Sequence, residues 1–337
     1  MSKSQPAIAV LGAGAWGTTL ACLLGGQGHH VRLWARRPDF AARLAHDRAN
    51  EEYLPGAAFP ETLQVTADIR AALHDTAWVI MAAPSHGLRD VARQAEPHLA
   101  HGALVICATK GLERPSGARM SQVLQETLGA HRPRLVALSG PNLSAEIIAG
   151  GPAVSVAASQ ELKAALEAQE LLSNSLFRVY TNSDIIGVEL CGAIKNIIAI
   201  GAGISDGLGL GNNAKAALMT RGMAEMKRLG LKLGAHAATF AGIAGMGDLI
   251  ATCHSTLSRN WNVGHRLGQG EKPGTITESL HDVAEGVFTT FAAQQKAREV
   301  GVEMPITDIL AQVLQEQVSP AEGVTSLMTR RWRAEDE

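Results

Sequence analysis

The segment Gly12-Ala13-Gly14-Ala15-Trp16-Gly17 follows directly on an apolar run, Ala7 to Leu11, and opens a helical stretch, Thr18 to Leu24. This G-x-G-x-x-G order behind a strand constrains the chain more than any other feature, because each glycine has its own task. The first makes a tight turn, the second lets backbone approach a pyrophosphate, and the third lets helix and strand pack closely. A pyrophosphate then meets free N–H groups and the positive end of the helix dipole. Alone, the motif also describes an ordinary glycine-rich turn; at the head of a strand, helix, strand array it points to a dinucleotide site. The run Ala7 to Leu24 behind Lys3 also imitates the core of a secretion signal, but three glycines inside it would weaken an inserted helix.

The first half continues as expected for such an array. Strands are predicted at Ala7 to Leu11, His30 to Trp34, Trp78 to Met81, Leu104 to Cys107, Leu135 to Leu138, Val154 to Ala157 and Phe177 to Tyr180. Helices are predicted between them, at Arg89 to Leu99, Arg119 to Leu128 and Gln160 to Leu172. This alternation implies an α/β fold with a doubly wound, Rossmann-type, mostly parallel sheet. After Asp184 strand-like runs stop. Ile186 to Ile204 and Asn213 to Leu229 read as buried helices, and Thr289 to Glu299 and Ile306 to Glu316 as amphipathic ones. A chain of 337 residues exceeds one hydrophobic core. The expected division is a dinucleotide-binding domain over 1–184 and a helical substrate-binding domain over 185–337.

Composition removes several function classes. Thirty basic residues against 32 acidic ones give a net charge of -2, so no global field recruits nucleic acid. No stretch outside the N-terminal run reads as a membrane span. Cys22, Cys107, Cys191 and Cys253 form no C-x-x-C pair, which fits a reducing cytoplasm, and the twelve histidines suggest no metal site.

The end of the second strand bears on which dinucleotide is used. An NAD-selective site places an acid there for the ribose 2′-hydroxyl, whereas this chain has Arg36 and Arg37. Two guanidiniums can grip a 2′-phosphate, which favours NADP(H) over NAD(H); the alternative is Asp39 reaching back, with both arginines solvated. Lys110, after the strand at Leu104 to Cys107, is either active or a solvated loop lysine. Lys195 sits in an apolar helix and either reaches solvent, pairs structurally with an acid, or exchanges a proton with a substrate oxygen. Asp248, behind a glycine-rich turn, is a helix cap or an active carboxylate. Ser258-Arg259-Asn260 is a surface turn or a phosphate site.

Together these motifs resemble the bacterial NAD(P)-dependent glycerol-3-phosphate dehydrogenase family. Besides the glycine fingerprint, the resemblance lies in Ala108 to Glu113, Ser139-Gly140-Pro141, Glu189 to Asn196, Asn212-Asn213, Thr220-Arg221-Gly222, Gly242 to Asp248, Thr252-Cys253, Ser258 to Asn260 and Ala284-Glu285-Gly286. It implies reversible reduction of dihydroxyacetone phosphate to sn-glycerol 3-phosphate, supplying phospholipid synthesis, with hydride from the nicotinamide C4. It implies Lys195 as proton donor and acceptor, with Asp248 and Lys110 beside it. Substrate contacts would be Lys110, Gly140, Asn142, Lys195, Asp248, Ser258, Arg259 and Asn260. Cofactor contacts would be Gly12, Gly14, Ala15, Trp16, Gly17, Arg36, Arg37, Lys110, Ser144, Arg259, Val283 and Glu285. Asn142 departs from the usual Ser or Thr, and Ala15 and Ser144 stand where Ser and Ala are common. The family implies a homodimer only weakly. Two rivals remain at this level: a two-domain dehydrogenase of a hydroxyacid or sugar acid, and a redox-sensing nucleotide binder without catalysis.

Overall fold

A computed structural model describes residues 7–279, 284–332 and 334. Ten strands run in chain order: β1 Ala7–Leu11, β2 Val31–Trp34, β3 Ala49–Asn50, β4 Leu54–Ala58, β5 Leu63–Thr66, β6 Thr76–Met81, β7 Leu104–Cys107, β8 Arg134–Ser139, β9 Ala153–Ala158 and β10 Phe177–Asn182. Eight form one sheet in the order β10-β9-β8-β7-β6-β1-β2-β5, and β3 pairs with β4 in a small hairpin. The chain departs from β1 in both directions, toward β2 and toward β6, so a crevice opens beyond the carboxyl ends of β1 and β6. Ligands of open α/β sheets bind at such a point.

Strands β1 and β7 have every side chain buried or nearly so, the pattern of parallel strands covered on both faces. One pair breaks the parallel rule: β9 runs antiparallel to β8. Its connection, residues 140–152, contains only the five-residue helix Ser144–Ile148 and remains at one end of the sheet. A parallel neighbour needs a crossover to the other end. The hairpin β3–β4 and the edge strand β5 were not expected, because their short stretches carry too little apolar alternation.

From Ile185 onward every regular element among the described residues is helical. The central helix Ile185–Gly207 is long and apolar enough by composition to cross a membrane, contrary to the expectation that no such stretch follows the N-terminus. In the apolar 18-residue window that carries this signal, 89% is buried inside the protein, because other helices wrap it, and this explains its apolarity. It crosses the helix Arg259–Gly268 at backbone distance. A Cβ at Gly203 would lie 2.0 Å from the Trp261 carbonyl oxygen, and one at Gly264 1.9 Å from that of Ile200. The helix Gly211–Lys232 was expected to be buried but is covered on one face only, through Met219, Met223, Met226 and Leu229. It lies on the outside of the central helix, and its other face meets water.

Candidate active site

The glycine loop turns as its spacing demands. Gly12 has φ +122°, and a Cβ there would lie 2.7 Å from Ala82 backbone; a Cβ on Gly17 would lie 1.9 Å from the Gly12 carbonyl oxygen. Only glycine fits either place. Gly14 is the N-cap of the helix Ala15–Gly26 and supplies no side-chain acceptor, so the first N–H groups of that helix face the crevice uncapped. Asn50 of β3 steadies the loop from behind, its Nδ2 donating to the Ala13 carbonyl at 3.0 Å and to Thr18 Oγ1 at 2.7 Å. Such a cradle fits a dinucleotide pyrophosphate. Trp16 lines the same region, and its buried Nε1 donates to no described residue.

A cleft of about 390 Å³ runs from this loop to the helical half. Gly12, Gly14, Ala15, Trp16, Arg36, Arg37 and Ser144 line it from the sheet side, and Lys195, Ser258, Arg259, Asn260 and Glu285 from the helical side. Lys110 and Asn142 line it between them. Gly17, Gly140 and Asp248 stand just behind these residues, and Val283 lies outside the described residues. The helical wall is tied to the sheet by Glu285, which accepts from Ser85 N at 3.0 Å and from the Ser85 hydroxyl.

The charged centre is built around Asp248, a carboxylate only 1% exposed. Lys195 Nζ donates to its Oδ1 and, at 2.7 Å, to Thr252 Oγ1. Lys110 Nζ donates to Oδ2 at 3.0 Å and to the Gly140 carbonyl at 2.9 Å. The solvated readings of the lysines and the simple cap reading of Asp248 do not describe this arrangement, whereas the pairing of Lys195 with an acid is present. Burial draws the Lys195 ammonium down to about 8; Asp248 opposes that fall and the nearby Lys110 charge adds to it. Lys195 is therefore an acid and base near neutrality. Burial also pushes the adjacent Cys253 thiol up to about 12, which removes it as a nucleophile at neutral pH.

Ser258 and Asn260 are buried, so Ser258 to Asn260 is not a surface turn. Ser258 caps the helix Arg259–Gly268, its Oγ accepting from Trp261 N at 3.2 Å. Asn260 Oδ1 accepts from Gly286 N at 2.9 Å, which leaves its NH₂ as the donor end. At the opposite end of the cleft Arg37 is already engaged: its Nη2 donates to Glu52 at 2.8 Å and its guanidinium lies 4.8 Å above the Phe40 ring. The acid that pairs with Arg37 is thus Glu52, with Asp39 a weaker electrostatic neighbour, and Glu52 arrives from the β3–β4 hairpin, which sequence spacing gave no reason to place there.

Three other residues carried no sequence signal for what they do. Thr252 accepts from Lys195 while donating to the Asp248 carbonyl at 2.6 Å. Glu189, six positions before Lys195 on the central helix, accepts from Arg119 and, at 2.6 Å, from both the N–H and the hydroxyl of Ser121. This buried contact fastens the helix that carries Lys195 to the sheet half. Asn50 acts on the glycine loop from 32 residues or more away in sequence.

Comparison with known proteins follows the same outline. The family model for the N-terminus of NAD-dependent glycerol-3-phosphate dehydrogenase matches residues 7–165, and that for its C-terminus matches 184–325. The chain belongs to the NAD-dependent glycerol-3-phosphate dehydrogenase family. It is 47% identical over 324 residues to the glycerol-3-phosphate dehydrogenase [NAD(P)+] of Geobacillus thermodenitrificans, covering 96% of this chain and 94% of that one. Its identity to the corresponding enzyme of Chlorobium phaeobacteroides is also 47%, covering 97% and 99%. The crystal structure of glycerol-3-phosphate dehydrogenase from Coxiella burnetii superposes with a TM-score of 0.93 at 37% identity, over 97% of this chain and 99% of that one. Like these glycerol-3-phosphate dehydrogenases, the chain is an NAD(P)-dependent oxidoreductase with a Rossmann-like first part and a helical second part.

Proposed function

We propose that this member of the family reduces dihydroxyacetone phosphate reversibly to sn-glycerol 3-phosphate, with Lys195 as the proton donor and acceptor. The observation that carries the assignment is the buried Asp248 carboxylate shared by Lys195 and Lys110 on the cleft that the glycine loop opens. A reduced nicotinamide, when bound, supplies the hydride. As charge develops on the substrate's C2 oxygen, Lys195 stabilises it and delivers a proton. Asp248 and Thr252 hold the Lys195 ammonium in place, and Lys110 keeps a second positive charge beside the reacting carbonyl. Two ammoniums on one carboxylate leave a net positive site, suited to an anionic substrate.

The phosphate belongs with Arg259, Ser258 and the NH₂ of Asn260, at the start of a ten-residue helix whose dipole adds to the attraction. Remote binding of this kind positions the carbonyl. The glycine loop takes the pyrophosphate, with Ser144 and Glu285 on the walls. NADP(H) is preferred over NAD(H) because Arg36 stands exposed at the end of β2 and makes no ion pair among the described residues. Residues 1–184 form the cofactor domain and 185–337 the substrate domain. Four buried free thiols support a cytoplasmic setting. An apolar groove of about 1110 Å³, lined by Leu210, Leu218, Leu231, Ile309 and Leu327, supports a homodimer.

Mixing the protein with NADPH and dihydroxyacetone phosphate while following nicotinamide absorbance tests the reaction. Rapid oxidation is expected. No oxidation with this ketone, together with turnover of a hydroxyacid's keto form, would transfer the chain to the rival dehydrogenase class.

A further inference from the structure

We infer that Glu52 limits the preference for NADP(H) over NAD(H): its carboxylate occupies Arg37 as a 2′-phosphate would, and so keeps both cofactors usable. Arg37 lines the cleft at the end of β2, the place where this fold receives the adenosine ribose of a dinucleotide. Its Nη2 donates to Glu52 Oε1 at 2.8 Å, and Arg43 donates to Oε2 of the same carboxylate. Both guanidiniums also lie against the ring of Phe40, 4.8 and 5.3 Å from its centroid. The anionic oxygens of Glu52 thus already take the charge-assisted hydrogen bonds that a phosphate would seek. Asp39, the other acid nearby, adds only a weaker electrostatic pull on Arg37.

The position of this acid is fixed from both sides. Asn50, fully buried, donates from Nδ2 to the Ala13 carbonyl of the glycine loop and to Thr18 Oγ1, while its Oδ1 accepts from Tyr53 N at 3.2 Å. The turn that carries Glu52 is therefore tied to the loop that cradles the pyrophosphate. Tyr53 lines the cleft, and its side chain hydrogen-bonds that of Glu52. Arg48 braces the other end of the hairpin, donating to the Leu63 carbonyl at 2.9 Å and to that of Pro60 at 2.6 Å.

The two cofactors differ here by one group. NAD(H) brings a neutral 2′-hydroxyl, which leaves the Arg37–Glu52 pair intact. NADP(H) brings a dianion that must draw Arg37 away and then stands near a carboxylate that has lost one of its arginines. That cost falls on one cofactor alone, and discrimination is a difference between two affinities. Arg36, exposed next to Arg37, supplies the attraction that remains. With the Arg37 side chain 50% exposed and that of Glu52 34%, water screens the pair, which sets the effect at about threefold to fivefold.

Dissociation constants for NADPH and NADH, from fluorescence titration, test this in the unmutated protein, Glu52→Gln, Arg37→Ala and the double variant. Glu52→Gln keeps the side chain's size and removes its charge. It should tighten NADPH by at least about threefold and change NADH by no more than about 1.5-fold, the constant NADH affinity serving as the check on folding. Glu52→Asp, which keeps the charge, should remain close to the unmutated protein. In the Arg37→Ala background Glu52→Gln should leave the ratio of the two constants within about 1.5-fold, because no guanidinium is released there. An equal gain in that background overturns the inference, since Glu52 would then act on the phosphate through charge alone. A ratio that does not move in Glu52→Gln also overturns it. The inference rests on the cofactor site proposed above, and Arg36→Ala separates the two failures. If that substitution still costs NADPH selectively, an unmoved ratio removes the role of Glu52 alone; if it costs both cofactors equally, the cofactor reading falls as well.

Discussion

Lys195 and Asp248 meet across 53 residues of sequence, the ammonium of one donating to the buried carboxylate of the other. Lys110 occupies the second carboxylate oxygen from 138 residues away. One acid thus holds two bases in place without neutralising both, and its removal would leave two like charges facing each other in a poorly solvated site. The pairing also fixes which way the Lys195 ammonium points, a condition for delivering a proton to one oxygen and not another.

Replacing Lys195 by alanine should lower turnover at least about 100-fold, the scale of losing a general acid, while NADPH binding stays nearly intact. Steady-state kinetics with a fluorescence titration of the cofactor measure both. Near-normal turnover would remove Lys195 from the mechanism.

With Lys195 as the proposed proton donor and acceptor, ketone reduction requires it protonated and alcohol oxidation requires it neutral. With its pKa lowered to about 8, reduction should decline as pH rises through about 8 and oxidation should increase through the same range. In Asp248→Asn the raising effect of the carboxylate is gone, so the midpoint should move to lower pH. Profiles of kcat/KM in both directions would show this; midpoints that ignore the Asp248 substitution would assign the titration to another group.

At the adenosine end, Arg36→Ala should weaken NADPH by at least about tenfold and NADH by no more than about twofold, since a charge-assisted contact to the 2′-phosphate is worth about 1.5 to 3 kcal/mol. The corresponding loss in Arg37→Ala should be smaller, because Arg37 must leave Glu52 to reach a phosphate. Equal losses for the two cofactors would make the arginines part of the scaffold.

Arg259→Ala should raise KM for dihydroxyacetone phosphate and lower turnover, because phosphate binding holds the carbonyl in place. Unphosphorylated dihydroxyacetone should be a poor substrate, little affected by the change, and inorganic phosphate should partly rescue its reduction only while Arg259 is present. Equal damage to both substrates would deny Arg259 the phosphate.

Away from the site, Glu225 accepts from Ile306 N at 2.6 Å and Thr307 N at 3.3 Å, at the start of the helix Pro305–Leu314. Burial outweighs these bonds and raises its carboxyl to about 7. The folded chain therefore binds this proton more tightly than the unfolded chain does. The contribution to stability is complete below about 4.5 and is lost as pH rises to about 7. Glu225→Gln should flatten that decline. Thermal unfolding of both proteins at pH 5 and pH 8 measures it; parallel shifts would mean that Glu225 does not titrate there.

Local sequence determined the strand, the glycine turn and the helix of residues 7–26, because each rests on contacts within one supersecondary unit and on spacings of a few residues. It likewise marked Lys110, Lys195 and Ser258 to Asn260 as polar groups in unusual surroundings, and the switch to helices after Asp184. Tertiary structure alone decided which partners these residues have. Sequence left Asp248 open between cap and active carboxylate, since nothing local says that two lysines converge on it. The antiparallel turn of β9 brings Ser155 beside Asn142, and the β3–β4 hairpin delivers Glu52 to Arg37. Electrostatic and hydrogen-bonding partners of this kind are chosen by where distant segments pack, and packing depends on the apolar surface of the whole chain and not on the spacing around any one residue.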